Sequence, residues 1–159
     1  MIHILLVEDN PADAFLTQEA LGQEPFGNGK QVTVVMDGQE ALSFLHREGQ
    51  YAGVRTPDLI LLDLNLPKTD GRAVLAEIKH DPRLKHIPVV VFTSSADPYD
   101  VQQSYALYAN CYVIKPLDLD NFFQVVRDVV KFWALTASLP SRASGDPGDL
   151  SGGSYQDEI

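Results

Sequence analysis

The sequence predicts an α/β protein, a parallel sheet of five strands with helices on both faces. Three observations predict it. Short apolar runs of strand length recur five times, at residues 2–7, 32–36, 59–62, 87–93 and 112–114. Segments with helical spacing alternate with them, the pattern of a parallel sheet wound through crossover helices. Four of the five runs end directly on a charged or hydroxyl residue, Glu8, Asp63, Thr93 and Lys115.

Each element has a local reason. The first run ends at Glu8-Asp9, and Asn10-Pro11 then supplies an N-cap with proline at the first helical position. The helix over 12–21 places Phe15, Leu16 and Ala20 on its apolar side, and Gly22 stops it. Residues 23–30 carry Pro25, Gly27 and Gly29 and read as a loop. The β-branched run 32–36 is the second strand, and Asp37 caps a helix over 38–48 with Ala41, Leu42 and Leu45 inward. The run 59–62 is apolar throughout, as a strand buried on both faces must be, and Pro67 marks where the chain leaves the sheet. Asp70 caps the third helix from Gly71, with Val74, Leu75 and Ile78 inward, and Asp81-Pro82 breaks it. The fourth strand covers 87–93, a less apolar helix 96–108, and a short fifth strand 112–114. Asp118 caps a long last helix over 119–137.

The chain has 159 residues, 45% hydrophobic and 21% charged, which suits one domain with a single core. That domain is expected over 1–140. Beyond Pro140 the composition turns to Ser, Gly, Asp and Pro, predicting a disordered acidic tail over 141–159 and no output domain. Asp and Glu number 22 against 12 Lys and Arg, a formal charge of −10 that argues against nucleic acid and anionic lipid as partners. No apolar run approaches the ~18 residues of a membrane span. The start lacks a basic n-region, so no signal peptide is predicted. One cysteine, Cys111, permits no internal disulfide and fits a cytoplasmic protein.

Ligands of open α/β sheets bind beyond the carboxyl ends of strands, at a topological switch point. In the flavodoxin-like order 2-1-3-4-5, strands 1 and 3 are neighbours there, which brings Glu8, Asp9 and Asp63 together. Three close carboxylates repel one another unless a cation intervenes. Their hard oxygens suit Mg²⁺, which takes one or two carboxylates together with phosphate oxygens. A phosphate could then be held by the metal, the Lys115 ammonium and the Thr93 hydroxyl together. No Walker lysine motif is present to present a nucleotide phosphate. The arrangement points to a carboxylate that receives a phosphoryl group, and Asp is a nucleophile of that kind. Taken singly, each residue has a plainer explanation. Glu8-Asp9 could be stabilised by the dipole of the helix that follows, Asp63 could be a helix cap or a surface turn acid, Thr93 could bond to backbone, and Lys115 could lie on the surface. Four such coincidences at four strand ends are much rarer than one.

With these residues in place, the sequence resembles the response-regulator receiver domain of two-component signalling over residues 1 to about 135. The motifs that carry the resemblance are Val7-Glu8-Asp9, Leu62-Asp63 with Leu66-Pro67 and Asp70-Gly71, Phe92-Thr93-Ser94, and Lys115-Pro116. It implies that Asp63 is the phosphoacceptor, and that Glu8, Asp9, Asp63 and the Asn65 backbone carbonyl hold Mg²⁺. It implies further that Lys115 contacts the phosphoryl oxygens, that Thr93 swings toward them, and that Tyr112 is the aromatic switch. Ser94 departs from the alanine of many members, which leaves the lifetime of the acyl phosphate open. The segments 8–13, 47–51, 110–112 and Phe132-Trp133 are similar to those of single-domain regulators paired with bacterial phytochromes. That likeness implies a phytochrome-type histidine kinase as phosphodonor.

Two other functions compete. A receiver-like interaction module that is never phosphorylated would have no need of the complete set of site residues. A phosphohydrolase of the haloacid dehalogenase type would want a second aspartate two after the nucleophile, where this chain has Asn65. The last helix carries a separate expectation. Leu119, Phe122, Phe123, Val126, Val130 and Trp133 form its packing stripe, opposite Asp120, Asn121, Gln124, Arg127, Asp128 and Lys131. Val125, Val129 and Phe132 widen the apolar arc to roughly 200°, beyond the ~100° that one core contact needs, which predicts a homodimer through this helix.

Overall fold

The computed structural model describes residues 1–140. The tail expected over 141–159 lies outside the described residues. The chain alternates β1 (Ile2–Val7), α1 (Pro11–Leu21), β2 (Lys30–Val35), α2 (Gly38–Leu45), β3 (Leu59–Leu62), α3 (Gly71–His80), β4 (Val89–Thr93), α4 (Pro98–Ala106), β5 (Cys111–Ile114) and α5 (Leu119–Lys131). The five strands form one parallel sheet in the order β2-β1-β3-β4-β5, as the sequence predicts.

Side chains alternate across the sheet with a period of two, and the central strands are apolar on both faces. Leu5, Val7, Ile60, Leu62, Val89 and Val91 face one way, against Phe44 and Leu45 of α2 and Val74, Leu75 and Ile78 of α3. Ile4, Leu6, Leu59, Leu61, Val90 and Phe92 face the other way, against Ala14, Ala20 and Leu21 of α1 and Phe122, Val126 and Val130 of α5. The helix α4 buries little, with Ser104 its one buried residue. The half-buried Cys111 packs against the second cluster.

Register is what builds the site. Val7 pairs with Leu62, and the ladder runs one residue further, because Asp63 N–H donates to the Val7 carbonyl at 3.0 Å. Glu8 N–H donates to the Val35 carbonyl at 3.0 Å, and Lys115 N–H donates to the Thr93 carbonyl at 2.7 Å. The polar residues that end these strands are therefore held by the sheet itself, side by side at one edge.

The expected helix caps are present. Asn10, Asp37, Asp70 and Asp118 each accept from a backbone N–H in the first turn of the following helix. Several boundaries differ from the sequence reading, each for a local reason. Strand β2 starts at Lys30, which pairs with Ile2, and stops before the exposed Met36. Arg47 takes φ 57° and ends α2 before Glu48. Strand β4 begins only at Val89, because Ile87 N–H is turned to the Leu84 carbonyl. Asp97 caps α4 and shortens it at its start, while Tyr108 at φ 69° lies beyond its end. A single π turn, Phe132–Thr136, carries α5 on, close to the expected length. In α1 the inward face is Ala14, Thr17, Ala20 and Leu21, and Phe15 is exposed. Leu119, expected in the packing stripe of α5, is half exposed at its first turn.

Candidate functional site

Glu8, Asp9 and Asp63 converge at the carboxyl edge of β1 and β3. One oxygen from each lies within 4.8 Å of the others. Glu8 and Asp63 are buried and Asp9 is exposed, so the group opens to solvent on the Asp9 side. The Glu8 Oε1 atom accepts from Asn10 N–H at 3.1 Å, and Asp63 Oδ1 accepts from Asn65 N–H at 3.3 Å. Each buried acid is thus steered by the chain just after it. Glycine is required behind them: a Cβ on Gly71 would strike the Asp63 carbonyl oxygen and the Leu64 backbone.

The Lys115 ammonium enters from β5 and sits among three carboxylates. It lies 2.6 Å from Glu8 Oε2, 2.9 Å from Asp63 Oδ2 and 2.9 Å from Asp13 Oδ2. Burial alone would lower the lysine pKa, but hydrogen bonds to Glu8, Asp13 and Asp63 and the charge of Glu8 hold it above its ordinary value. Burial pushes the Glu8 carboxyl up to about 7, against the hydrogen bond and charge of Lys115, which pull it down. Asp13 was not among the residues expected from sequence. It stands in the first turn of α1, where an acid is favoured by the helix dipole alone, and that ordinary role masks its contact with Lys115. Its distance of three residues from the N-cap, on a helix that starts at the acid edge, is the signal that could have found it.

Thr93 is fully buried at the end of β4, and its hydroxyl oxygen accepts from Ser95 N–H at 3.5 Å. Tyr112 is half-buried, and its hydroxyl donates to the Ser95 carbonyl at 2.8 Å. Ser95 Oγ in turn donates to Asp100 Oδ2 at 2.7 Å, and Asp100 Oδ1 accepts from Arg72 at 2.6 Å. The loop after β4 is therefore tied to both Tyr112 and α3. Ser94 is exposed beside it. Asn65 is exposed in the loop after β3, close in sequence to the acids.

Three oxygen donors at this spacing fit a hard divalent cation. Beside them is the buried Lys115 ammonium, and Thr93 ends the strand next to β3; an ammonium and a hydroxyl are groups that can hold a tetrahedral anion. On helix α5, Val125 and Val129 are partly buried and pack toward the second core cluster, while Phe132 and Leu135 are exposed. Among the described residues no helix is long and apolar enough to cross a membrane.

The model of the response regulator receiver domain matches residues 4–127. The response regulator Rcp1 of Synechocystis sp. is 48% identical over 138 residues, covering 87% of this chain and 92% of that protein. Among solved structures, the phosphorylated cyanobacterial phytochrome response regulator RcpA shares 53% identity at a TM-score of 0.84, covering 88% of this chain and 99% of that one. The Mn²⁺-bound form of Rcp1 shares 47% identity, also at a TM-score of 0.84, covering 89% of this chain and all (100%) of that one.

Proposed function

The chain belongs to the response regulator receiver domain family, related to phytochrome response regulators, and on that premise we propose that Asp63 accepts a phosphoryl group from a sensor histidine kinase. The observation that carries this is the Lys115 ammonium, 2.9 Å from Asp63 and buried with it at the edge where the acids meet. An Asp63 carboxylate oxygen attacks phosphorus, the bond from phosphorus to the donor imidazole nitrogen breaks, and an acyl phosphate remains on Asp63. Lys115 neutralises the added charge, and Thr93 donates its hydroxyl proton toward a phosphoryl oxygen. Tyr112, bonded to the same loop through Ser95, reports the change to the α4–β5 face. The chain acts as a phosphoacceptor with weak self-catalysed transfer and hydrolysis.

Glu8, Asp9, Asp63 and the Asn65 backbone carbonyl are the groups that would hold Mg²⁺. When bound, the ion supplies charge neutralisation for a phosphoryl group arriving among carboxylates. The Mn²⁺-bound relative supports a divalent ion in this family. A phytochrome-type kinase is the proposed donor, on the strength of the relatives named above. The net charge of −10 speaks against nucleic acid as a partner. Through Phe132, exposed at the end of α5, we read a homodimer surface, with Val125 and Val129 contributing at its margin.

The test is incubation with acetyl phosphate and Mg²⁺ followed by intact mass measurement. The wild-type chain gains one phosphoryl group that hydroxylamine removes, and Asp63→Asn gains none. Phosphate on the Asp63→Asn variant, or undiminished transfer in excess chelator, would overturn the assignment.

A further inference from the structure

The three carboxylates around Lys115 are not equivalent. Glu8 and Asp63 also belong to the acid group suited to a cation, whereas Asp13 does not. The ammonium therefore shares two of its three partners with any ion that takes that group. Glu8 shows the conflict at the level of atoms. Its Oε1 is turned to Asn10 N–H, and its Oε2 lies 2.6 Å from the Lys115 nitrogen. A divalent ion placed on these oxygens meets a like charge already there. An ion that takes this group competes with Lys115 for Glu8.

Asp13 is the partner that Lys115 can keep. Its backbone is fixed in the first turn of α1: its N–H donates to the Asn10 side chain at 3.2 Å, and its carbonyl accepts from Thr17 Oγ1 at 2.8 Å. Its side chain is 27% exposed and that of Lys115 is 7% exposed, so the pair is only partly screened by water.

We infer that Asp13 is a positioning residue that retains the Lys115 ammonium beside Asp63 while Glu8, Asp9 and Asp63 take a divalent cation. The inference rests on the metal reading given under the proposed function. Without Asp13 the ammonium has only Glu8 and Asp63 to pair with, and it holds the oxygens that the ion needs. Removing Asp13 also removes a negative charge near the ion, an effect that acts through space and does not depend on Lys115. A double-mutant cycle separates the two.

Mg²⁺ is titrated by calorimetry into the wild-type chain, Asp13→Asn, Lys115→Met and the double variant. Asp13→Asn weakens Mg²⁺ roughly fivefold when Lys115 is present, the scale of one partly exposed ion pair. In the Lys115→Met background the same change weakens it less than about twofold. Equal weakening in both backgrounds overturns the inference, as does no weakening in the first. If Lys115→Met does not fold, Lys115→Gln takes its place in the same cycle. A wild-type chain that binds no Mg²⁺ sinks the metal reading together with this one. A wild-type chain that binds while Asp13→Asn binds equally well sinks this one alone.

Discussion

Gly71 shows how a single residue sets the place of the Asp63 carboxylate. The turn from Asp63 to α3 folds so closely back that the Leu64 carbonyl accepts from Gly71 N–H at 2.9 Å. A methyl group at that position meets backbone, which cannot move aside cheaply. Gly71→Ala is expected to cost about 2–3 kcal/mol of stability, as overpacking does, and to slow phosphorylation of Asp63. Urea unfolding and acetyl phosphate kinetics check both, and an unchanged midpoint would refute the packing argument. His3 offers a test at the opposite end of the sheet. Its ring is buried, Nε2 lies 3.0 Å from Thr33 Oγ1, and Nδ1 has no hydrogen-bond partner among the described residues. Burial, helped by the charge of Arg55, lowers its pKa below 6.5. The folded protein thus disfavours the proton that the unfolded chain accepts near pH 6.5. The stability contributed is present above that pH and is lost as pH falls through it toward the lower folded value. His3→Leu should flatten the slope of stability between about pH 7 and about pH 5 relative to wild type. Parallel slopes in the two proteins would contradict this.

At the scale of elements, what could be read from sequence was what local chemistry decides. Asn10, Asp37, Asp70 and Asp118 are short polar side chains just ahead of apolar periodicity, and each caps the helix it precedes. The acids and Lys115 were legible because strand ends in a parallel sheet share an edge. The contact of Asp13 with Lys115 was not, since it joins residues 102 apart through the lean of α1 over the sheet. Phe15 misled for the opposite reason: α1 has apolar residues on more than one side, and only packing chose Ala14, Ala20 and Leu21. Helix α5 lies between these cases. Its buried stripe of Phe122, Val126 and Val130 follows the wheel, yet Val125 and Val129 turn partly to the core and leave Phe132 and Leu135 as the exposed apolar end. If the proposed dimer forms there, Phe132→Asp should be monomeric in analytical ultracentrifugation while Asp63 is still phosphorylated. A wild-type chain that stays monomeric at high micromolar concentration, with and without a phosphoryl mimic, would remove the dimer.

At the scale of the whole molecule, the question is how a change at one sheet edge reaches a distant face. The loop after β4 is bonded both to Tyr112 of β5 and, through Asp100, to Arg72 of α3. Thr93 ends β4 at the edge of the sheet where the acids meet, and two residues on, Ser95 bonds outward twice: its carbonyl to Tyr112 and its hydroxyl to Asp100. Asp100 is itself fixed by Arg72 of α3, and the Ser95 and Arg72 hydrogen bonds hold its carboxyl below its ordinary pKa. In this arrangement, which holds no phosphoryl group, the Thr93 hydroxyl accepts from Ser95 N–H at 3.5 Å. If Thr93 turns to a phosphoryl group, Ser95 must move with it, and the Asp100 bond opposes that movement. A contact present only in the resting state shifts the population toward rest, and removing it shifts the population back. Asp100→Asn keeps the size of the side chain but weakens its bonds to both Ser95 and Arg72. It should therefore raise the apparent affinity for a beryllofluoride mimic of the phosphoryl group by roughly threefold, the effect of losing about one modest hydrogen bond. Mg²⁺ affinity measured without the mimic should stay as in wild type, since Asp100 takes no part in the acid group. A mimic affinity that is unchanged or lower would show that the Arg72–Asp100–Ser95 chain does not restrain the loop.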